Sequence, residues 1–235
     1  MSSLVTLDLD DTLLHTQQHY DAARNQFAEF VHSKFDIDIE DAKEVQSEAS
    51  RNLLDSYGLS QIRFPLAMEE ALRSLTENPT SEDYAEVREM ARNVYKTAQE
   101  YRNQGIAHGG YELLHTAKSE ADEVWILTAG DPSIQQAKIE GLNLHNQTDK
   151  IQIVGMGEKE ATLAEARENF DTVIHIGNSS SSDVEAAESA DVDCIHIPTA
   201  SWRNTTEISY NAPSGQFYQV RSLSDAETRL NELLS

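Results

Sequence analysis

The chain has 235 residues, 41 acidic against 18 basic, a formal net charge of −23, and a single cysteine. So acidic a surface disfavours nucleic acid and anionic membrane as partners. No apolar run approaches the length that spans a bilayer, and one thiol excludes an internal disulfide.

With no basic segment ahead of an apolar stretch at the start, these features predict a soluble, cytoplasmic protein. Self-repulsion at this charge would be relieved by salt. Lysines number seven against eleven arginines. A high-salt habitat is one expectation and an ordinary acidic protein the other; full stability in very dilute buffer would contradict the first. The length suits one large domain, or a core with an insertion. Nothing in the sequence sets an oligomeric state.

The first element is the apolar run Leu4-Val5-Thr6-Leu7, which ends abruptly in Asp8-Leu9-Asp10-Asp11-Thr12. Such a run reads as a buried strand. Strand alternation would place Asp8 and Asp10 on one face, where like charges are costly without a cation or a proton between them. That cost predicts a site.

From Thr16 to Gly105 no strand-like run occurs. Apolar spacing predicts helices over His19 to Lys34, Glu40 to Tyr57, Leu66 to Leu75 and Glu82 to Tyr101. After Gly109-Gly110 strands and helices alternate. Strands are expected at 123–128, 151–154, 172–177 and 194–197. Helices are expected at 111–118, 132–140, 158–169, 183–190 and 223–234. The alternation predicts an α/β fold, a Rossmann-like doubly wound parallel sheet. The core would comprise residues 1–15 and 106–235, with 16–105 an inserted all-helical cap lying over the sheet as a lid.

In open parallel sheets, sites lie beyond the C-terminal strand ends. Those ends carry Asp8 and Asp10, then Thr128, then the loop from Asn178 to Asp183, with Lys159 just past the strand ending at Val154. Carboxylates, a lysine, a hydroxyl and a loop at one sheet edge fit a divalent cation with a phosphate.

These residues resemble the four motifs of the haloacid dehalogenase superfamily, in order: Asp8-Leu9-Asp10-Asp11-Thr12-Leu13; Ile126-Leu127-Thr128-Ala129-Gly130-Asp131; Lys159; and Ile176-Gly177-Asn178 through Asp183. The likeness extends to Gln135 and Lys138 ahead of Gly141-Leu142, and to Ile197-Pro198 followed by Trp202. The resemblance implies that Asp8 is a nucleophile forming an aspartyl-phosphate and Asp10 its general acid and base. Mg²⁺ would bind Asp8, the Asp10 carbonyl, Asp183 and Asn178. Thr128, Lys159 and the backbone N–H groups of Leu9 and Ala129 would hold the phosphoryl group. The substrate would be a small phosphorylated metabolite.

One departure stands out. The fourth motif of the family usually begins Gly-Asp, and here it is Gly177-Asn178, a neutral and weaker Mg²⁺ ligand. A haloacid dehalogenase proper, a phosphomutase and a phosphate-sensing protein without turnover are the alternatives. The dehalogenase branch lacks an acid at the position of Asp10. A phosphorelay receiver also pairs aspartates with threonine and lysine, but has no long helical insertion.

Other residues draw plainer readings. Lys138 reads as a surface residue, Arg63 as a surface residue or as a contact to a substrate carboxylate or second phosphate, Ser179 to Ser181 as flexible filler, and Ser182 to Glu185 as a helix capping box. His15 and His19 lack the glutamate of a zinc hydrolase motif, and Cys194 reads as a buried, inert thiol.

Overall fold

The computed structural model describes residues 2–199 and 208–235; Trp202 lies outside the described residues. In chain order the elements are β1 (Ser3–Leu7), α1 (Gln17–Phe35), α2 (Ile39–Asn52), α3 (Leu54–Tyr57), α4 (Arg63–Leu75), α5 (Ser81–Arg92), α6 (Ala98–Gln104) and α7 (Gly110–Glu120). There follow β2 (Glu123–Ala129), α8 (Pro132–Leu142), β3 (Lys150–Val154), α9 (Lys159–Asn169), β4 (Thr172–Gly177), α10 (Glu185–Ser189), β5 (Asp193–His196), β6 (Phe217–Gln219) and α11 (Leu223–Leu234). Short 3-10 and π turns precede β3 and α10. No helix among the described residues is long and apolar enough to cross a membrane.

Two compact units result: 1–15 with 97–235, and 16–96. The first holds one six-stranded sheet in the order β3-β2-β1-β4-β5-β6, parallel throughout. The central β1 is buried on both faces. Val5 and Leu7 join one apolar cluster with Ile126, Ile174 and Ile195, while Leu4 joins another with Leu127, Val173 and Cys194. Strand order reverses direction at β1, which lies between β2 and β4. That is where an open α/β sheet opens a crevice at its C-terminal edge.

The second unit is wholly helical and has its own core, built from Phe27, Val31, Phe64, Met68, Leu72 and Val87. Its Asp83 is buried, caps α5 through Thr80, and is paired with Lys34. Lys34 beside it holds the carboxyl below its ordinary value.

The local pattern departs from the sequence reading at two helices. The run expected from Glu82 to Tyr101 breaks after Arg92. A separate capping box of Thr97 with Glu100 restarts it as α6, because those two side chains satisfy the N-terminal N–H groups of a new helix. This short helix belongs to the first unit. It lies so close to α8 that a Cβ on Gly141 would come within 2.6 Å of the Ala98 carbonyl oxygen. The run expected from Glu40 to Tyr57 likewise divides at Leu53. The edge strand β6 gave no signal in the sequence. It is three residues long and only half-buried, so no alternation had room to show.

Candidate active site

The site begins where β1 stops. Asp8 N–H still donates to the Ile176 carbonyl at 2.9 Å, as the last rung toward β4. The chain then folds back on itself. Leu13 and Leu14 N–H groups donate to the Leu9 carbonyl, and Asp11 N–H to the Leu14 carbonyl. Asp11 takes the left-handed backbone at φ 58° that this turn requires. Aspartate tolerates that region better than most residues. Asp8 therefore sits at the strand end and Asp10 in a turn. Strand alternation does not relate them, and their side chains meet different partners.

Asp8 meets Lys159, the first residue of α9, at 2.5 Å, and the same ammonium reaches Asp183 at 2.6 Å. All three side chains are buried. Two dry carboxylates thus share one cation. Burial pushes the Asp8 carboxyl up to about 7, against the pull of Lys159 and with a further push from Asp183. Burial also works against the Asp183 charge, but Lys159 and a histidine outweigh it and hold that carboxyl down. Lys159 is held charged by both acids, again against burial.

Asp183 is placed by the turn before it. Its N–H and that of Val184 both donate to the Ser179 carbonyl, a widened π turn over Ser180–Val184. Ser179 caps this turn: its hydroxyl accepts from Ser182 N–H, and its own N–H donates to Asp183 Oδ2 at 2.8 Å. The carboxylate lies directly over Gly177, where an added Cβ would come within 2.3 Å of Asp183 Cγ. Only glycine fits there.

Asp10 meets a second lysine. Lys138 Nζ donates to both its oxygens, at 2.6 and 2.8 Å, and to Gln135 Oε1 at 2.6 Å. Gln135 Nε2 donates to Asp10 Oδ2 at 3.0 Å and to the Thr128 hydroxyl at 2.5 Å. Gln135 and Lys138 are three apart on α8, so one face presents both. That helix is fixed by an Asp131 cap and Pro132 in its first turn.

Asn178 faces Asp8 through Thr12, whose hydroxyl lies 3.2 Å from Asp8 Oδ2 and 3.3 Å from Asn178 Oδ1. Its amide nitrogen donates to Thr199 at 2.6 Å, and its backbone carbonyl accepts from His196 Nε2 at 2.9 Å. Among the described residues no three His, Cys, Asp or Glu side chains gather as a metal site. The donors near Asp8 are nevertheless all oxygens, with one more buried carboxylate than Lys159 neutralises. That donor set and that excess charge suit a hard divalent cation.

The model of the haloacid dehalogenase-like hydrolases matches residues 3–191. The chain belongs to this family. Among solved structures, a haloacid dehalogenase-like hydrolase from Xanthomonas campestris is 23% identical with a TM-score of 0.78, covering 99% of this chain and 92% of its own. A HAD phosphatase from Thermococcus onnurineus is 19% identical with a TM-score of 0.61, covering 98% of each chain. The L-2-haloacid dehalogenase of Xanthobacter autotrophicus is 17% identical with a TM-score of 0.61, covering 98% and 99%. No curated protein matches the chain. One fold thus serves phosphatase and dehalogenase alike, and chemistry has to be argued from the site.

In this hydrolase the structure brings Asp8, Lys159 and Asp183 into one cluster, and Asp10 with Thr128 into another. Asn178 joins the first through Thr12. Leu9 and Ala129 lie at the ends of β1 and β2, next to Asp8 and Thr128.

Several sequence readings are corrected. Lys138 is 5% exposed and not a surface residue, because its ammonium is turned to Asp10 and Gln135. Arg63 is also buried, donating to the Ser50 carbonyl and hydroxyl. Ser179 to Ser181 are ordered capping and turn residues. Ser182 is not the helix cap, because the π turn moves the start back to Ser179. Cys194 is buried as expected, and burial raises its thiol pKa.

Sequence reasoning missed His175. Fully buried in β4, it lies 3.1 Å from Asp183 Oδ1 through Nε2 and 2.7 Å from the Thr6 hydroxyl through Nδ1. Burial lowers its pKa; in the neutral ring that burial favours, Nε2–H donates to the carboxylate and Nδ1 accepts from Thr6. A polar residue inside an otherwise apolar strand was the signal available.

Proposed function

We propose that this hydrolase cleaves small phosphomonoesters through an aspartyl-phosphate, with Mg²⁺ as cofactor. The observation that carries the reading is Asp10: a second carboxylate, anchored by an ion pair, two residues beyond the candidate nucleophile. Displacing halide needs no proton on the leaving group, whereas expelling an alkoxide does. An acid so placed suits an oxygen leaving group. The nucleophile, lysine and threonine are all buried, which favours a small substrate able to reach them.

In the first step an Asp8 carboxylate oxygen attacks phosphorus, the ester P–O bond breaks, and the proton of Asp10 goes to the departing oxygen. In the second, water attacks the same phosphorus and gives its proton to Asp10. The aspartyl P–O bond breaks, releasing phosphate and restoring Asp8. Lys159 offsets charge on the transferring group, the Thr128 hydroxyl donates to a phosphoryl oxygen, and the N–H groups of Leu9 and Ala129 complete the cradle. Asp8, Asp183, the Asp10 carbonyl and Asn178 Oδ1 would hold the metal. The ion would neutralise phosphoryl charge and favour the ionised form of Asp8.

The test is a panel of phosphorylated metabolites assayed for phosphate release with Mg²⁺ and with chelator. Metal-dependent release is expected, reduced by about four orders of magnitude or more in Asp8→Asn. Halide release from 2-haloacids with no phosphate release from the panel would overturn the reading.

A further inference from the structure

Lys138 has no task in the scheme above, yet it is one of the most enclosed lysines in the protein. An ammonium has three N–H donors, and here each has an acceptor: Asp10 Oδ1, Asp10 Oδ2 and Gln135 Oε1. Gln135 closes the network by donating to Asp10 Oδ2 and to Thr128. The Asp10 carboxylate plane is therefore fixed by contacts on both oxygens, all from one face of a capped helix.

We propose that Lys138, braced by Gln135, is the positioning residue that aims the Asp10 carboxyl at the leaving-group oxygen. The inference rests on the phosphomonoesterase reading. When Asp10 carries the proton it delivers, one oxygen holds that proton while the other stays on Lys138, so the anchor persists in both halves of the reaction. Gln135 ties the same assembly to Thr128. The residue that moves the proton and the residue that binds the phosphoryl group are thus set from one helix face. A substrate's ester oxygen and its phosphoryl oxygens are bonded to one phosphorus, so a common anchor keeps their two protein partners in register.

A lysine that only fills and neutralises the interior would affect all substrates alike. A lysine that aims the acid affects only substrates needing a proton. The two are separated by leaving group. With Mg²⁺ present, p-nitrophenyl phosphate departs as a weakly basic phenolate, whereas an alkyl phosphate departs as a strongly basic alkoxide. In Lys138→Met the rate ratio of aryl to alkyl ester should rise about 100-fold. Gln135→Met should shift the ratio in the same direction by less. Each ratio is taken within one preparation, so a misfolded fraction cancels. Equal loss on both esters, or an unchanged ratio in Lys138→Met, would overturn the inference while leaving the phosphomonoesterase reading intact. A wild-type protein that hydrolyses neither ester nor any other phosphomonoester would overturn that reading and the inference with it.

Discussion

Asp8 and Asp10 are two residues apart in the chain, yet their surroundings follow opposite charge arithmetic. Asp8 shares Lys159 with Asp183, two carboxylates to one cation, and all three groups are buried. Asp10 has Lys138 to itself, one to one, with its side chain 29% exposed. The first arrangement is left with an uncompensated negative charge in a dry place; the second is balanced and touches water. A cation would therefore gain most beside Asp8. The difference also means that the same chemical change at the two positions should move stability in opposite directions.

The largest effect is expected from removing the shared cation. In Lys159→Met, Asp8 and Asp183 lose the cation they share, and stranding buried charge of this kind costs about 3–5 kcal/mol. The loss should be greater at pH 8 than at pH 5, where one carboxyl can take up a proton instead. Added Mg²⁺ should restore part of it by binding only the folded state. Urea unfolding at both pH values, with and without the metal, checks each point. A loss that is the same at both pH values would mean the two acids do not compete for charge.

Much of this contrast was legible in the sequence and part was not. The strand ends carrying Asp8, Thr128 and Gly177 could be read because apolar runs broken by polar residues are local signals. Lys159 was found from its place after β3. Lys138 was misread, because helical spacing alone does not say which face of α8 is buried, and its partner lies 128 residues away. Strand alternation is not what brings Asp8 and Asp10 together, although the Asp10 charge does help to raise the Asp8 carboxyl. Alternation assumes that β1 continues, whereas the strand ends at Leu7 and Asp10 lies in the turn beyond it. His175 and the π turn over Ser180–Val184 depend on packing around Asp183, which no pattern of period 2 or 3.6 encodes.

The next effect in size is a gain. Asp8 is pushed from its ordinary 3.8 up to about 7 by burial. Between those values the folded state holds a proton that the unfolded chain has released, so stability falls as pH rises through that window. The displacement corresponds to at most about 4 kcal/mol above pH 7, and to nothing below pH 4. Asp8→Asn removes the cost and leaves Lys159 and Asp183 as a balanced pair. Without metal it should be more stable than the wild type at pH 8, by about 1–3 kcal/mol, and little different at pH 4. Thermal melts across that range decide it. A variant less stable than wild type at pH 8 would show that Lys159 needs both acids.

The smallest effect belongs to the balanced pair and has the reverse sign. Asp10→Asn keeps the shape but removes the carboxylate paired with a lysine whose side chain is 6% exposed. Gln135 still accepts from that ammonium, and water reaches the vacated side, so the loss should be about 1–2 kcal/mol. Salt supplies a further distinction. Exposed charges are screened at physiological ionic strength and buried ones much less. The loss in Asp10→Asn should therefore shrink as salt rises from low to molar concentration, while the gain in Asp8→Asn should hold nearly constant. Urea unfolding of both variants at two salt concentrations, metal-free and at pH 8, makes the comparison in one experiment. Opposite signs with only the Asp10 variant salt-sensitive would confirm that Asp8 sits in a dry, over-acidic pocket and Asp10 in a wetter, balanced one. Equal signs would mean that the two carboxylates share a single electrostatic environment, and that the division into nucleophile and proton carrier has no basis in their surroundings.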